Sequence, residues 1–309
     1  MPHRNCLIIT ENIAGTENQC IAVAEALATA YEISHVYLKP PFSLLTPHLI
    51  KKVPKWAIEG IDWNAPEPDI VIAAGRKAVP ATLHFKNSFK VFLQDPKVNP
   101  KNFDLVAAPL HDNLRGDNVL STYAAPNRVT EEHLKKAKND FDFSHLPKTK
   151  IAVLIGGNSK SHTMDSSFSY ALFEQLMPYL QSDEYGIMMT VSRRTPPQIY
   201  NHLKDLFSTP NCDFWDGKGE NPYFGYLAWA DYILVTEDST SMISDALSTG
   251  TPAYRLPMRG GSEKFSHLYQ NLKRRCMFKE FDGELKPYDY KPLRDAQKIA
   301  DEIKKRIAQ

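Results

Sequence analysis

Short, continuous apolar runs alternate with segments of helical periodicity along most of this chain, and they do so in two successive blocks. In the first block the runs fall at residues 6–10, 33–38, 69–74, 90–93, 104–107 and 119–122. Residues 18–31 repeat apolar side chains at helical spacing between the first two runs, and residues 76–85 follow Gly75 as a further helix. Strands without polar alternation suit a parallel sheet covered on both faces. Residues 131–148 are charged and end near Pro147, which reads as a helix and a linker. The pattern then restarts with strands at 151–155, 186–191, 232–235 and 253–256, and a helix at 166–180. The fold class expected is α/β, with two doubly wound Rossmann-like domains facing a cleft. We expect residues 1–145 to form the first domain and 146–290 the second, with 291–309 a charged amphipathic helix that crosses back to the first.

A length of 309 residues fits two domains better than one core. The formal net charge of +1 gives no whole-molecule argument for nucleic acid, and none is expected as a partner. The four cysteines form no CxxC and no zinc spacing, so reduced thiols in a cytoplasmic protein are expected. No apolar run approaches the roughly 18 residues of a membrane span.

Chemistry-bearing residues concentrate where strands end, the ligand edge of such sheets. The stretch DYILVTEDSTSMISDALSTGTP (231–252) reads as strand, acidic turn, helix and Gly-x-Pro exit. Glu237 stands at the mouth of the strand, and Asp245 lies on the helix eight residues on. Carboxylates there accept from sugar hydroxyls, and a helix N-terminus faces phosphates. Asp238 belongs to the same acidic turn, and Ser239 either caps the helix or contacts phosphate. Gly156, Gly157, Asn158 and Ser159 follow a strand directly: either an anion-binding turn or a tight strand–helix turn. Arg193 and Arg194 end another strand, as a pair suited to a diphosphate or as a solvated pair, with Thr195 expected as helix cap and Pro196 at the first helical position.

In the first block, Gly15, Asn18 and Gln19 lie in the loop after the first strand and are candidates for reading an acceptor. Asp95, His111 and Glu17 are candidate general bases. The plainer readings are a turn residue before Pro96 for Asp95 and a hydrogen-bonded loop histidine for His111. No GxSxG elbow and no HExxH occur.

Several blocks, in order, resemble the plant elongate-mitochondria fission factor family and its bacterial homologues. They are Gly15-Thr16-Glu17-Asn18-Gln19-Cys20, residues 68–76 (PDIVIAAGR), Gln94-Asp95-Pro96, residues 118–122 (NVLST), Ile155-Gly156-Gly157-Asn158, Ser192-Arg193-Arg194-Thr195-Pro196, Thr236-Glu237-Asp238-Ser239 with Met242 and Ser244, and Gly250-Thr251-Pro252. The resemblance covers about residues 5–260. It implies a GT-B glycosyltransferase-like fold with an acceptor site in the first domain and a nucleotide-sugar donor site in the second. On that template Gly156, Gly157 and Asn158 lie near the donor diphosphate, Arg193 pairs with it, and Glu237, Ser239 and Asp245 line the nucleotide side. Asp245 is shorter than the glutamate usual near this place. The partners implied are a nucleoside diphosphate sugar and a glycan or lipid-linked acceptor, with a position peripheral to a membrane allowed, and neither metal nor cofactor is required. Plant members of the family are described as adaptors at a membrane surface that recruit a dynamin-related GTPase. Two further readings therefore accompany the leading one of a metal-independent glycosyltransferase: a catalytically silent scaffold that binds a protein partner, and a nucleotide-sugar epimerase of the GT-B type.

Overall fold

The computed structural model describes residues 5–46 and 52–308. The chain forms two compact units, residues 1–128 with 294–309, and residues 129–293. The first unit runs through strands β1 (Asn5–Thr10), β2 (Ala30–His35), β3 (Tyr37–Leu38), β4 (Ile58–Glu59), β5 (Ile70–Ala74), β6 (Phe89–Leu93), β7 (Leu105–Pro109) and β8 (Val119–Thr122), with helices α1 (Ala14–Leu27), α2 (Phe42–Leu45) and α3 (Ala78–Thr82) between them. Its main sheet is parallel, in the order β2-β1-β5-β6-β7-β8. Successive strand residues face opposite sides. Ile8, Ile70, Ile72, Val91 and Leu93 therefore enter one core with Cys20, Val23 and Ala24 of α1. Ile9, Val71, Ala73, Phe92 and Val106 enter the other with Ala78, Val79 and Ala81 of α3.

The second unit opens with α4 (Glu131–Asp140). Strands β9 (Thr149–Ile155), β10 (His162–Thr163), β11 (Tyr185–Val191), β12 (Cys212–Phe214), β13 (Tyr232–Thr236), β14 (Ala253–Leu256), β15 (Arg259–Gly260) and β16 (Lys279–Glu280) follow. Among them run helices α5 (Ser166–Leu180), α6 (Pro197–Leu206), α7 (Tyr223–Trp229), α8 (Thr240–Thr249) and α9 (Glu263–Cys276). The sheet order is β12-β11-β9-β13-β14-β16, again parallel. Ile151, Val153, Ile155, Ile187 and Met189 pack on α5 and α6 through Leu172, Leu176, Ile199 and Leu203. Helix α4, expected at the end of the first domain, packs on α7 instead. The ring of His133 lies 4.3 Å from that of Phe224.

The last helix, α10 (Asp295–Ile307), belongs to the first unit. Its Ile299 and Ile303 complete the core that α1 lines. Each contributes about 1.5–3 kcal/mol by leaving water. Asp295 accepts the backbone N–H groups of Tyr123 and Ala124 at 3.3 and 3.0 Å, which ties the start of the helix to the end of β8.

Two helix starts differ from the sequence expectation. Helix α1 begins at Ala14, not near Asn18, with Ile13 at the cap position and no capping side chain. The expected loop residues Gly15, Glu17, Asn18 and Gln19 are therefore helical. Helix α6 begins at Pro197 with Pro196 at its cap position, and Thr195 caps nothing. Its hydroxyl instead donates to the Gly156 carbonyl. Among the described residues no helix is long and apolar enough to cross a membrane.

Candidate functional site

In each sheet the connections leave in opposite directions from two adjacent strands, and loops at such a switch point form the ligand crevice of open α/β sheets. In the second unit the pair is β9 and β13, since the chain moves from β9 out to β12 and returns beside β9 at β13. The loops there are Gly156-Gly157-Asn158-Ser159 and Glu237-Asp238-Ser239.

The fold joins Gly156, Gly157, Asn158, Arg194 and Asp238 in one cluster. Gly156 N–H donates to Thr236 Oγ1 at 2.7 Å, and Gly157 N–H donates to Asp238 Oδ2 at 3.0 Å. The Asp238 side chain is 0% exposed, and its Oδ2 lies 2.6 Å from Arg194 Nη2. Its Oδ1 is buried and has no hydrogen-bond partner among the described residues. Arg194 Nη1 donates to the Asn158 carbonyl at 3.2 Å, and the Arg194 carbonyl accepts from Asn158 N–H at 3.1 Å. The glycines are needed for space. A Cβ on Gly156 would stand 2.1 Å from Asp238 Oδ1, and one on Gly157 would stand 2.1 Å from the Arg194 carbonyl oxygen. The anion that this turn receives is thus the protein's own carboxylate. Asn158, which is exposed, and Ser159 bond to the segment that follows them: Asn158 Oδ1 accepts Met164 N–H at 2.7 Å, and Ser159 Oγ accepts the N–H groups of Ser161 and His162.

The other acids take different partners. Glu237 is buried, with Oε2 2.5 Å from Arg255 Nη1 and Oε1 accepting Met258 N–H at 2.7 Å. Arg255 also reaches Glu280 at 2.6 Å and lies over the Tyr269 ring. Both Glu237 oxygens are therefore engaged. His162, a residue that no sequence motif marks, places its fully buried ring 3.9 Å from Glu237 Oε1 and edge-on to Phe265. Its strand β10 pairs with β15, which ties the loop after β9 to the loop after β14. Asp245 accepts the Tyr223 hydroxyl at 2.8 Å, and burial pushes its carboxyl up to about 7.

What stays open at this edge is the start of α8 and one arginine. Ser239 caps α8 by accepting Met242 N–H at 3.4 Å. Thr240 and Ser241 then supply first-turn N–H groups that have no acceptor within the helix. The Arg194–Asp238 pair holds the loop after β11 against the start of α8. Arg193, on that same loop, is exposed and pairs with no acid among the described residues.

In the first unit the switch point lies between β1 and β5. Glu11 bridges it: Oε1 accepts Lys77 N–H at 2.9 Å and Oε2 lies 3.7 Å from Lys77 Nζ. Gly75, at φ +97, allows the close approach, since a Cβ would stand 2.8 Å from Glu11 Oε1. The candidate bases are not brought together. Asp95 is a turn residue whose oxygens hold Lys97 N–H at 2.8 Å and Lys97 Nζ at 2.6 Å. His111 lies in a short turn after β7 with a nearly buried ring beside Asp112. Glu17 meets His35 at 2.5 Å. Of the proposed acceptor residues, Asn18 is exposed, Gly15 is half-buried in the first turn of α1, and buried Gln19 accepts from Gln94 Nε2 at 3.0 Å. Among the described residues no group of three or more His, Cys, Asp or Glu side chains could hold a metal ion.

Three solved structures share this architecture. The glycosyltransferase of kitacinnamycin superposes with a TM-score of 0.57 at 11% identity, covering 99% of this chain and 100% of that one. UDP-GlcNAc 2-epimerase from Methanocaldococcus jannaschii gives 0.54 at 11% identity, covering 97% and 99%. MurG from Acinetobacter baumannii gives 0.50 at 12% identity, covering 99% and 91%. At such identities the likeness is one of fold, and the fold is GT-B. In sequence, the chain is 29% identical over 275 residues to the mitochondrial fission protein ELM1 of Arabidopsis thaliana, covering 78% of this chain and 64% of the plant protein. It is 27% identical over 347 residues to an uncharacterized protein of Rickettsia prowazekii, covering 97% of this chain and 98% of that one. The profile of the family described as mitochondrial fission ELM1 matches residues 14–307, and the chain belongs to that family.

Proposed function

We propose that this protein transfers a sugar from a nucleoside diphosphate sugar to the hydroxyl of a glycan or lipid-linked acceptor, without a bound metal. The observation that carries the reading is a helix start beside an exposed arginine at the switch point of the second unit. The first turn of α8 begins there, and exposed Arg193 stands on the neighbouring loop, fixed through Arg194. A helix start and an arginine both favour a diphosphate. They meet the charge that develops as the diphosphate leaves, which is where such stabilisation accelerates transfer. In this reading the diphosphate sits on the Thr240–Ser241 end of α8 and against Arg193, rather than in the glycine turn that Asp238 fills. Asp245, midway along α8, and Tyr223, the first residue of α7, then serve as a hydrogen-bonding pair for the nucleoside. The GT-B fold, shared with proteins whose names include glycosyltransferases and a UDP-sugar epimerase, supports the same class of donor.

A second reading, a silent scaffold that binds a protein partner, is favoured by Asp238. Its carboxylate consumes one glycine N–H and the Arg194 charge that a phosphate would otherwise meet.

Turnover separates the readings. The full chain is incubated with one sugar nucleotide at a time, UDP-sugars first, with and without pooled lipid-linked and oligosaccharide acceptors. A transferase releases nucleoside diphosphate and glycosylates an acceptor. An epimerase yields a new sugar nucleotide from a single substrate. Unchanged substrate throughout refutes the proposal.

A further inference from the structure

A sheet ends in edge strands whose outward N–H and C=O groups can pair with another chain, and proteins keep such edges short or guarded. Three of the four edges of the two main sheets follow that rule. In the second unit β12 has three residues and β16 two. In the first unit β8 has four, and α10 guards it. The Ser121 carbonyl accepts Lys298 Nζ at 2.7 Å, and the carbonyl of Asp117, just before the strand, accepts Arg306 Nη2 at 3.1 Å. The fourth edge, β2, differs. It has six residues, AYEISH, without lysine, proline or glycine. Among the described residues it pairs with β1 alone.

Val36 N–H donates to the Thr10 carbonyl at 2.8 Å, which fixes the alternation along β2. Glu32 and Ser34 turn their backbone groups to β1, and Tyr31, Ile33 and His35 turn theirs outward. At one end the edge is covered, since a Cβ on Gly60 would fall 1.9 Å from the His35 carbonyl oxygen. The outward groups of Tyr31 and Ile33 meet no partner among the described residues. Tyr31 packs on the core that α1 lines, and Ile33, two residues on, shares its face. Ile33 is 38% exposed. Glu32, on the other face, is exposed and has no cationic partner among the described residues.

Charge selects the occupant. A second copy that used both open residues would pair antiparallel about Glu32 and set two glutamates directly opposite, which is destabilising. A strand with a cation at that place gains an opposite-charge pair instead, and apolar side chains beside it cover Ile33. We propose that the β2 edge receives an extended segment of another protein as an added antiparallel strand. That segment carries lysine or arginine opposite Glu32 and apolar residues opposite Tyr31 and Ile33. Main-chain hydrogen bonds hold it, and the alternating side chains select it. This surface is independent of sugar transfer.

The probe is the blocked peptide Thr-Val-Lys-Val-Thr, with Thr-Val-Glu-Val-Thr as control, titrated into the full chain and followed by NMR. In the free chain the amides of Tyr31 and Ile33 should exchange fast and those of Glu32 and Ser34 slowly. Saturating lysine peptide should slow Tyr31 and Ile33 by about tenfold or more and leave the other two unchanged. N-methylation of both valines should abolish binding, and N-methylation of the lysine should not, because only the valine N–H groups face β2 in an antiparallel pair. The glutamate peptide should bind at least about threefold more weakly, and Glu32→Lys should reverse the preference. Ile33→Pro removes an outward N–H without touching the β1 ladder, so it should fold and lose binding; the methylated peptides and Glu32→Lys decide the matter if it does not fold. Absence of binding by the lysine peptide overturns the proposal, as does equal affinity for the two peptides or binding that survives valine methylation. Protection of Tyr31 and Ile33 that grows with protein concentration overturns it in favour of a second copy, and protection in the dilute free chain shows the edge already covered and overturns it too.

Discussion

Replacing Asp245 by Asn should change how stability depends on pH. The Asp245 carboxyl is raised to about 7 by burial, with the Tyr223 hydrogen bond pulling the other way. In the unfolded chain an aspartate ionises near roughly 3.9. Between these values the folded chain holds a proton that the unfolded chain releases, so this group's contribution falls as pH rises from about 4 to about 7 and is level above. Three pKa units at 1.36 kcal/mol each set a ceiling of about 4 kcal/mol, and partial exposure brings the expectation nearer 2 kcal/mol. Asparagine is nearly isosteric, neutral, and still accepts from the Tyr223 hydroxyl. Asp245→Asn should match wild type at pH 4 and exceed it by about 2 kcal/mol at pH 8. Urea unfolding of both proteins from pH 4 to 8 reads this as a difference in midpoint that widens with pH. A constant difference would refute the argument, because it would mean that Asp245 ionises in the folded chain as it does in the unfolded one. The same linkage predicts that a nucleoside whose hydroxyls donate to Asp245 binds better above pH 7 than at pH 5.5.

Other substitutions probe the supports of the candidate site. Gly157→Ala places a methyl group 2.1 Å from the Arg194 carbonyl oxygen, a backbone atom that no rotamer change relieves, and should cost at least about 2 kcal/mol in urea unfolding; a loss under about 0.5 kcal/mol contradicts the crowding. Arg194→Ala leaves the Asp238 carboxylate buried with one N–H partner and should cost about 2–3 kcal/mol, below the range for fully buried pairs because the Arg194 side chain is 42% exposed. Adding Asp238→Asn to Arg194→Ala should recover part of that loss, and strict additivity would count against the pairing. Deleting residues 294–309 removes Ile299 and Ile303 from the first core, and amide exchange in α1 and β1 should rise to that of an unfolded segment; protected amides there would show that α10 is dispensable.

The parallel sheets were legible because each central strand is apolar on both faces, and both faces are covered. Helix starts were less so. The apolar spacing starts near residue 18, and Thr16 and Asn18 are residue types that cap helices. Yet Ile13 holds the cap position without a capping side chain, and the Thr16 hydroxyl turns back to the Ile13 carbonyl at 2.9 Å. Thr195 before two prolines has the sequence of a cap, but its hydroxyl is drawn to the Gly156 carbonyl of the adjacent strand end. In the site, the residue types at the strand ends were visible, while their assignments were not. Glu237 and Asp238 are neighbours of like charge. Only the fold decides that the first reaches Arg255 and the second closes the glycine turn, 81 residues away in the chain. Asp245 stood out as a carboxylate in the middle of a helix, but its partner Tyr223 lies on another helix. His35 ends an edge strand with no motif around it, and only the approach of α1 gives it a partner.

Nucleotide binding to the second unit tests the central claim most directly. Thermal unfolding of the full chain and of Arg193→Ala is followed with UDP, GDP, ADP, CMP and dTDP. A ligand at about 100 times its dissociation constant adds roughly 2.7 kcal/mol of stability, a readily measured shift. The account predicts that one nucleoside diphosphate raises the melting temperature of wild type and leaves Arg193→Ala unmoved, while the two proteins melt alike without ligand. No shift of wild type by any of the five at millimolar concentration would contradict it and would make the scaffold reading the better one.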